Sequence, residues 1–257
     1  MSGSEPPAYR LAELANGWQV GRFAGLDALP DVAHAVTTRN GPDVRAMAAD
    51  RPGAAALVAE ALGLREAAVC NQVHGADVLR ATSGGLVGDG DALVTGVAGL
   101  GVMAFGADCP LILAADAAGA GVGVAHASWR GTLGRVASRL IEALADECGA
   151  EPPGIVACIG PSAGPCCYEV GGEVLSAAVA ALGLSAERFF RERAGGKYLF
   201  DLWAANRDQL LRSGLRRENV HAAEVCTICR NDLYPSYRAE GPPAGRFAAL
   251  IARRGAG

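Results

Sequence analysis

A chain of 257 residues that is 51% hydrophobic can bury a substantial core, as one large α/β domain or two small ones, and is too apolar to stay disordered. Its 27 acidic and 23 basic residues give a net charge of -4 with no Lys/Arg block, which argues against a nucleic-acid partner and leaves small neutral or anionic substrates open. The first ten residues lack the apolar core of a signal peptide, and the longest uncharged apolar run, residues 92–107, is interrupted by glycines and shorter than the ~20 residues of a membrane span. The expected location is the cytoplasm, away from membranes, where the eight cysteines stay mostly reduced.

In chain order, residues 1–30 are punctuated by Gly and Pro and predict one or two edge strands around residues 18–23. Residues 32–38 alternate with β-branched side chains and read as a strand ending at Arg39-Asn40-Gly41. An arginine at a strand end beside a Gly turn can reach into a site. Asp50 reads as the cap of a helix that starts at Arg51-Pro52; Leu57, Val58, Ala61 and Leu62 keep helical spacing until Gly63. Two strands follow at residues 67–73 and 77–81 with a bend at Gly75, and the two-residue period places Cys70, Gln72 and His74 on one face.

Gly88-Asp89-Gly90-Asp91 predicts a turn into a strand at residues 92–95. Residues 101–105, 111–115 and 121–127 are short apolar runs of the kind found in buried strands, and Val122, Val124 and His126 point the same way. After Gly131, the positions Leu133, Val136, Leu140, Ile141 and Leu144 trace one face of a helix ending at Gly149. The second half alternates: strand 155–159, helix 173–182, strand 198–200, helix 202–213 capped by Asp201, strand 219–224 and a closing strand at 246–252. Strands both clustered and interleaved with helices predict an α/β fold of layered mixed sheets flanked by helices, and no linker divides residues 1–257 into two domains.

Three segments each carry one borderline or soft metal ligand: Gln72-Val73-His74-Gly75, Ala107-Asp108-Cys109-Pro110, and Val124-Ala125-His126 before Ala127-Ser128-Trp129-Arg130-Gly131. A lone histidine on an apolar strand is more often a hydrogen-bonded core residue, and a Cys-Pro pair is often inert packing. Here, however, two of only four histidines end strands beside Gly or Arg, with a cysteine at a third junction. If they converge, two imidazoles and a thiolate leave the fourth position of a zinc ion for water, the makeup of a catalytic site, and lower the pKa of that water toward ~7. Arg39 after its strand, and Arg130 at the start of the following helix, are the candidates for holding phosphate or another anion. Asn40, Gln72 and Asp91 are candidates for contacts to substrate or to the ligands, on position alone.

These segments, with Asp89-Gly90-Asp91-Ala92-Leu93-Val94-Thr95, Gly160-Pro161, Tyr168-Glu169-Val170-Gly171, Asp201-Leu202, Cys226-Thr227, Ser236-Tyr237-Arg238 and Gly245-Arg246, jointly resemble the laccase-domain, or polyphenol-oxidase, family. The resemblance runs in order from about Thr37 to Ile251. It implies an α/β protein of layered mixed sheets (α/β/β/α-like) with zinc on His74, Cys109 and His126. It also implies purine nucleoside and phosphate as partners: phosphorolysis of adenosine, inosine and methylthioadenosine, and deamination of adenosine. Some bacterial members are described instead as peptidoglycan editing factors that remove a wrongly incorporated amino acid from a cell-wall precursor. The chain departs from the family pattern at Ser128, at Pro42-Asp43 and at Ala239, none of which is a metal ligand.

Other readings compete. A true multicopper oxidase needs on the order of ten histidines, largely in His-x-His pairs, and this chain has four and no such pair. A single copper ion could still occupy the trio in place of zinc, because it outcompetes zinc at most nitrogen and sulfur sites. Gly160-Pro161-Ser162-Ala163-Gly164 matches a nucleophile elbow, followed in order by Asp201 and His221, but Pro165-Cys166-Cys167-Tyr168 does not read as the helix such an elbow opens. Cys226-Thr227-Ile228-Cys229 fits loop packing, redox chemistry, or metal binding with Cys166 and Cys167. Cys109 and His126 would also serve as a metal-free nucleophile and base, or the trio as a structural clip in a binding module. No motif addresses the oligomeric state.

Overall fold

The computed structural model describes residues 7–255, so most of the segment considered above as a signal peptide lies outside the described residues. Among the described residues there are three sheets. The first has seven strands in the spatial order Tyr9–Glu13, Gln19–Phe23, Val32–Thr37, Phe247–Arg253, Leu100–Gly106, Glu66–Asn71 and Gly85–Asp89. The second has six, in the order Val220–Ala222, Ile155–Ile159, Leu111–Asp116, Val122–His126, Ala92–Thr95 and Val78–Arg80. Both are mixed: Glu66–Asn71 pairs in parallel with both its neighbours, whereas Val122–His126 is antiparallel to both of its own.

Alternation along the strands sets the layers. Val102, Ala104, Ala249 and Ile251 of the first sheet share one buried cluster with Leu93, Leu113, Val122 and Val124 of the second, so these two faces pack on each other. The opposite side chains of the first sheet, among them Val69, Met103 and Leu250, cover the helix Arg51–Ala61 through Ala55 and Val58. Those of the second, Val94, Ile112 and Ala125, pack on the helices Val136–Cys148 and Leu202–Arg212. The result is a four-layer helix, sheet, sheet, helix arrangement, which fits the layered mixed sheets flanked by helices expected from the pattern and the α/β/β/α-like order that the resemblance implies. A small third sheet, in the order Glu169–Gly171, Lys197–Phe200 and Phe190–Arg193, packs with the helix Gly172–Leu182.

Two local expectations are corrected, and one element is added. The single helix expected after Gly131 is two, Trp129–Leu133 and Val136–Cys148, because Arg135 adopts a left-handed φ of 63° between them. The segment around Gly88 is a strand, Gly85–Asp89, rather than only a turn; it lies at a sheet edge where Leu86 and Val87 are exposed, so the alternation that marks a buried strand is absent. A helix at Val44–Ala49 was hidden by its short length, although its cap is visible: the Asp43 side chain accepts from the N–H groups of Arg45 and Ala46.

His34 illustrates a histidine with a core role. It is fully buried on Val32–Thr37, and its Nε2 accepts the Phe23 N–H at 2.9 Å. Burial, aided by the charge of Arg22, holds its pKa down at about 3. The folded value lies below the ordinary one near 6.5, so its contribution to stability is complete above about pH 6.5 and is lost progressively as pH falls toward about 3. Urea unfolding should therefore show roughly 2 kcal/mol less stability at pH 5 than at pH 7 from this residue. In His34→Gln that part of the pH slope should vanish; an unchanged slope would assign it elsewhere.

Candidate metal and active site

The sulfur of Cys109 and one ring nitrogen each of His74 and His126 lie within 4.8 Å of one another. The two imidazoles meet edge to face with centroids 5.0 Å apart. Each ligand stands just beyond or at the end of a strand. His74 follows Glu66–Asn71, Cys109 lies in the connection between Leu100–Gly106 and Leu111–Asp116, and His126 is the last residue of Val122–His126.

Asp91, fully buried just before the strand Ala92–Thr95, organises two of the three. Its carboxylate accepts the N–H groups of Val73 at 3.1 Å, His74 at 3.1 Å and Gly75 at 2.6 Å, and the Nδ1 of His126 at 2.8 Å. Those N–H bonds end the strand at Asn71 and hold His74 at a left-handed φ of 61°. The two-residue period therefore stops short of His74: Cys70 turns into the core between the sheets while His74 faces out. Despite its burial, Asp91 is held below the usual carboxylate range by His126 and by the N–H groups of Gly75 and Val73. With Nδ1 committed to Asp91, the free ring nitrogen of His126 is Nε2. The same loop closes on the helix Trp129–Leu133, where a Cβ on Gly131 would sit 2.7 Å from the Gly75 carbonyl oxygen.

The protein groups are strongly coupled. Against the desolvation of its position, the charge and hydrogen bonds of His126, helped by His74, bring the Cys109 thiol down to about 6. Burial works against protonation of His126, yet Cys109 and Asp91 together push it up to about 9. Alone, the trio thus favours a thiolate beside an imidazolium. A thiolate, two imidazoles and a carboxylate behind one of them are also the donors and support that a tetrahedral zinc site uses, and they suit copper as well, so the residues present fit a bound divalent metal.

His74, Cys109 and His126 face a cavity of about 330 Å³. Three arginines contribute to its walls: Arg51, Arg238 and Arg246. Arg51 Nη1 is buried with no hydrogen-bond partner among the described residues, and its guanidinium lies 5.6 Å from the Phe105 ring centre. Arg238 sits over Tyr168 at 5.2 Å, with its backbone N–H donating to Asp108 and its Nη1 to the Glu169 carbonyl. Phe105, Tyr168 and Tyr237 line the same space. Burial, and behind it the charge of Cys109, pushes the Tyr168 phenol up to about 12, so its O–H stays protonated at neutral pH.

The positions expected from sequence separate into two groups. Gln72 lines the cavity, but its amide is spent on the Phe105 backbone, donating to the carbonyl at 2.8 Å and accepting the N–H at 2.9 Å. Asp91 stands behind His126 rather than in the cavity wall. Arg39 is turned away, paired with Glu240 and donating to the Asn231 carbonyl, while Asn40 donates to Gln19 at 3.2 Å. Arg130 is exposed and lies over Trp129, 4.3 Å from the ring centre. The helix start beside it is only five residues long, and Ser128 takes the Gly131 N–H at 3.0 Å. Arg39, Asn40 and Arg130 are thus replaced as wall residues by Arg51, Arg238 and Arg246. The signals for the last two were the Ser236-Tyr237-Arg238 and Gly245-Arg246 motifs; Arg51 carried none beyond its place at a helix start.

The elbow reading also fails on geometry, since buried Ser162 accepts a bond from Trp203 Nε1 at 2.6 Å and Asp201 caps its helix through the Ala204 N–H. No helix among the described residues is long and apolar enough to cross a membrane.

A family model described as multi-copper polyphenol oxidoreductase laccase matches residues 38–254. The chain is 36% identical over 197 residues to the Geobacillus stearothermophilus protein named purine nucleoside phosphorylase YlmD, a match covering 72% of this chain and 71% of that one. It is 37% identical over 164 residues to a protein of an unknown prokaryotic organism named adenosine deaminase RL5, covering 64% of this chain and 62% of the relative. The crystal structure of YlmD from Geobacillus stearothermophilus superposes with a TM-score of 0.85 at 29% identity, over 97% of this chain and 100% of that one.

Proposed function

The chain belongs to the multi-copper polyphenol oxidoreductase laccase family, and from that membership we propose that it is a zinc-dependent purine nucleoside enzyme acting as one domain over residues 1–257. It cleaves adenosine, inosine or methylthioadenosine with phosphate, and deaminates adenosine as a second activity. The observation that carries this reading is the meeting of His74, Cys109 and His126 at a cavity whose walls are arginine and aromatic. The relatives' names supply the substrate class.

In phosphorolysis a phosphate oxygen bonds to the anomeric carbon, the carbon–nitrogen bond to the purine breaks, and the base leaves with a proton, giving ribose 1-phosphate. In deamination water adds at C6 and ammonia departs. His74, Cys109 and His126 would hold a divalent ion, which would supply Lewis acidity and lower the pKa of water toward ~7. Asp91 fixes the tautomer of His126 and holds the His74 loop in place. The unpartnered Nη1 of Arg51, with Arg238 and Arg246, offers the donors a phosphate needs. Phe105, Tyr168 and Tyr237 offer faces for a purine ring, and protonated Tyr168 a donor for its nitrogens.

Four histidines cannot hold a multicopper centre, so the oxidase in the family's description is not the activity we assign. One experiment tests the assignment: kcat/KM for adenosine and inosine with phosphate, beside hydrolysis of an amide-linked cell-wall precursor. Ribose 1-phosphate release as the faster reaction is expected. Amide cleavage as the faster one would replace this reading with peptidoglycan editing, using the same trio.

A further inference from the structure

Of the eight cysteines only Cys109 lines the cavity, and four of the other seven come together on two loops. Cys166 and Cys167 lie in the loop after Ile155–Ile159, and Cys226 and Cys229 in the loop after Val220–Ala222. Yet one sulfur from each of the four lies within 4.8 Å of all the others. The Cys229 sulfur is 3.7 Å from that of Cys166 and 3.4 Å from that of Cys167. Around a zinc ion with Zn–S bonds of ~2.3 Å, the sulfurs of a regular tetrahedron stand roughly 3.8 Å apart. Sulfurs so close to one another leave room for one ion and not for the cube of a four-iron cluster.

We propose that Cys166, Cys167, Cys226 and Cys229 form a second metal site, a closed tetrathiolate that binds one zinc ion and clamps the two loops together. On binding, four sulfur–zinc bonds form and the thiol protons pass to solvent. The backbone is already arranged for it. Thr227 N–H donates to the Ser162 carbonyl, Ser162 N–H to the Val225 carbonyl, and Gly164 N–H to the Cys226 sulfur at 3.3 Å. Gly164 permits that approach, since a Cβ there would stand 2.7 Å from the Trp203 ring and 3.1 Å from Cys226 Cβ. Cys166 and Cys229 are exposed, which gives an ion its entry path. All four are free thiols, and the Cys229 sulfur stands well beyond the ~2.05 Å of a disulfide bond from those of Cys166 and Cys167.

The clamp bears on the cavity wall. Tyr168 follows Cys167 directly, and Thr227, next to Cys226, donates through Oγ1 to Asp108 at 2.7 Å, one residue before Cys109. The ion would thus tie together the segments that place Tyr168 and Asp108. This site does not depend on the purine reading.

The test uses the full chain purified in reductant without chelator. Elemental analysis should find one zinc fewer per chain in Cys166→Ser/Cys229→Ser than in wild type. Cobalt exchange should give wild type, and the Cys109→Ser variant too, the intense sulfur-to-cobalt charge transfer of an all-thiolate tetrahedral ion, absent from the double variant. Should the double variant fail to fold, alkylation decides on wild type alone: the exposed thiols of Cys166 and Cys229 should react about tenfold or more faster after zinc is stripped. Equal metal content in wild type and double variant, or rapid alkylation of both thiols in the zinc-replete protein, would overturn the site.

Discussion

Cys109→Ser is expected to lose the metal of the His74, Cys109 and His126 trio and at least ~10³-fold in kcat/KM for adenosine phosphorolysis, about 4 kcal/mol of transition-state stabilisation. The substitution keeps the shape and the hydrogen-bonding capacity of the side chain, and removes the one soft anionic donor of the set. Ser does not ionise near neutrality, whereas the Cys109 thiol is brought down to about 6 by its imidazole neighbours. Because Ser is close in size to Cys and Cys109 is partly buried, little packing is lost, and what the metal-free protein loses is the thiolate's pairing with His126. His126→Ala makes the companion test. It should lose metal and turnover equally and cost more stability, since it leaves the buried Asp91 carboxylate with only its three backbone donors. A variant that kept both its zinc, by elemental analysis, and its adenosine turnover would remove that residue from the site.

Asp91→Asn should be almost as damaging, although the residue lies outside the cavity wall. One carboxylate oxygen serves the His74 N–H and His126 Nδ1, and the other serves the N–H groups of Val73 and Gly75. Asn supplies only one acceptor oxygen, so its NH₂ must face one of these pairs of donors. If it faces His126, the ring is driven to the tautomer that carries its proton on Nε2, the nitrogen left for a metal. If it faces Val73 and Gly75, two N–H groups lose their partner and the left-handed backbone at His74 loses its anchor. Each buried donor left unpaired costs about 1–3 kcal/mol. We expect urea unfolding to show a loss of about 2–4 kcal/mol and competition with a chelator to show metal affinity weakened about 10–100-fold. Wild-type affinity in Asp91→Asn would mean that the carboxylate does not orient the ligand.

What could be seen in the sequence was whatever local chemistry determines. The alternation in Val122–His126 places Val124 between the sheets and His126 at the strand's exit, and turn residues beside His74 and Cys109 mark ends where side chains can meet. Sheets with helices outside them follow from apolar strands interleaved with one-sided helices, but the order of the four layers does not. The arginines of the cavity wall could not be placed together this way. Arg39 at its strand end looks free until Glu240, 201 residues later, folds against it. Arg130 at a helix start looks useful until Ser128 is seen to cap that start. Arg51, Arg238 and Arg246 come from three separate segments and share a cavity only after the chain has folded. Asp91 was visible as a candidate by position, but its hold on the His74 loop reaches back 17 residues and its hold on His126 reaches forward 35, and both belong to the tertiary structure.

The central claim is that the two imidazoles and the thiolate act through one bound metal ion on purine nucleosides. It is tested most directly by stripping the purified protein with chelator, adding zinc back, and following ribose 1-phosphate release from adenosine and phosphate. The account predicts that release falls to background on stripping, returns as zinc is restored to wild type, and does not return in Cys109→Ser. Undiminished phosphorolysis by the metal-free protein would contradict it and leave Cys109 and His126 as a thiolate–imidazolium pair working without a metal.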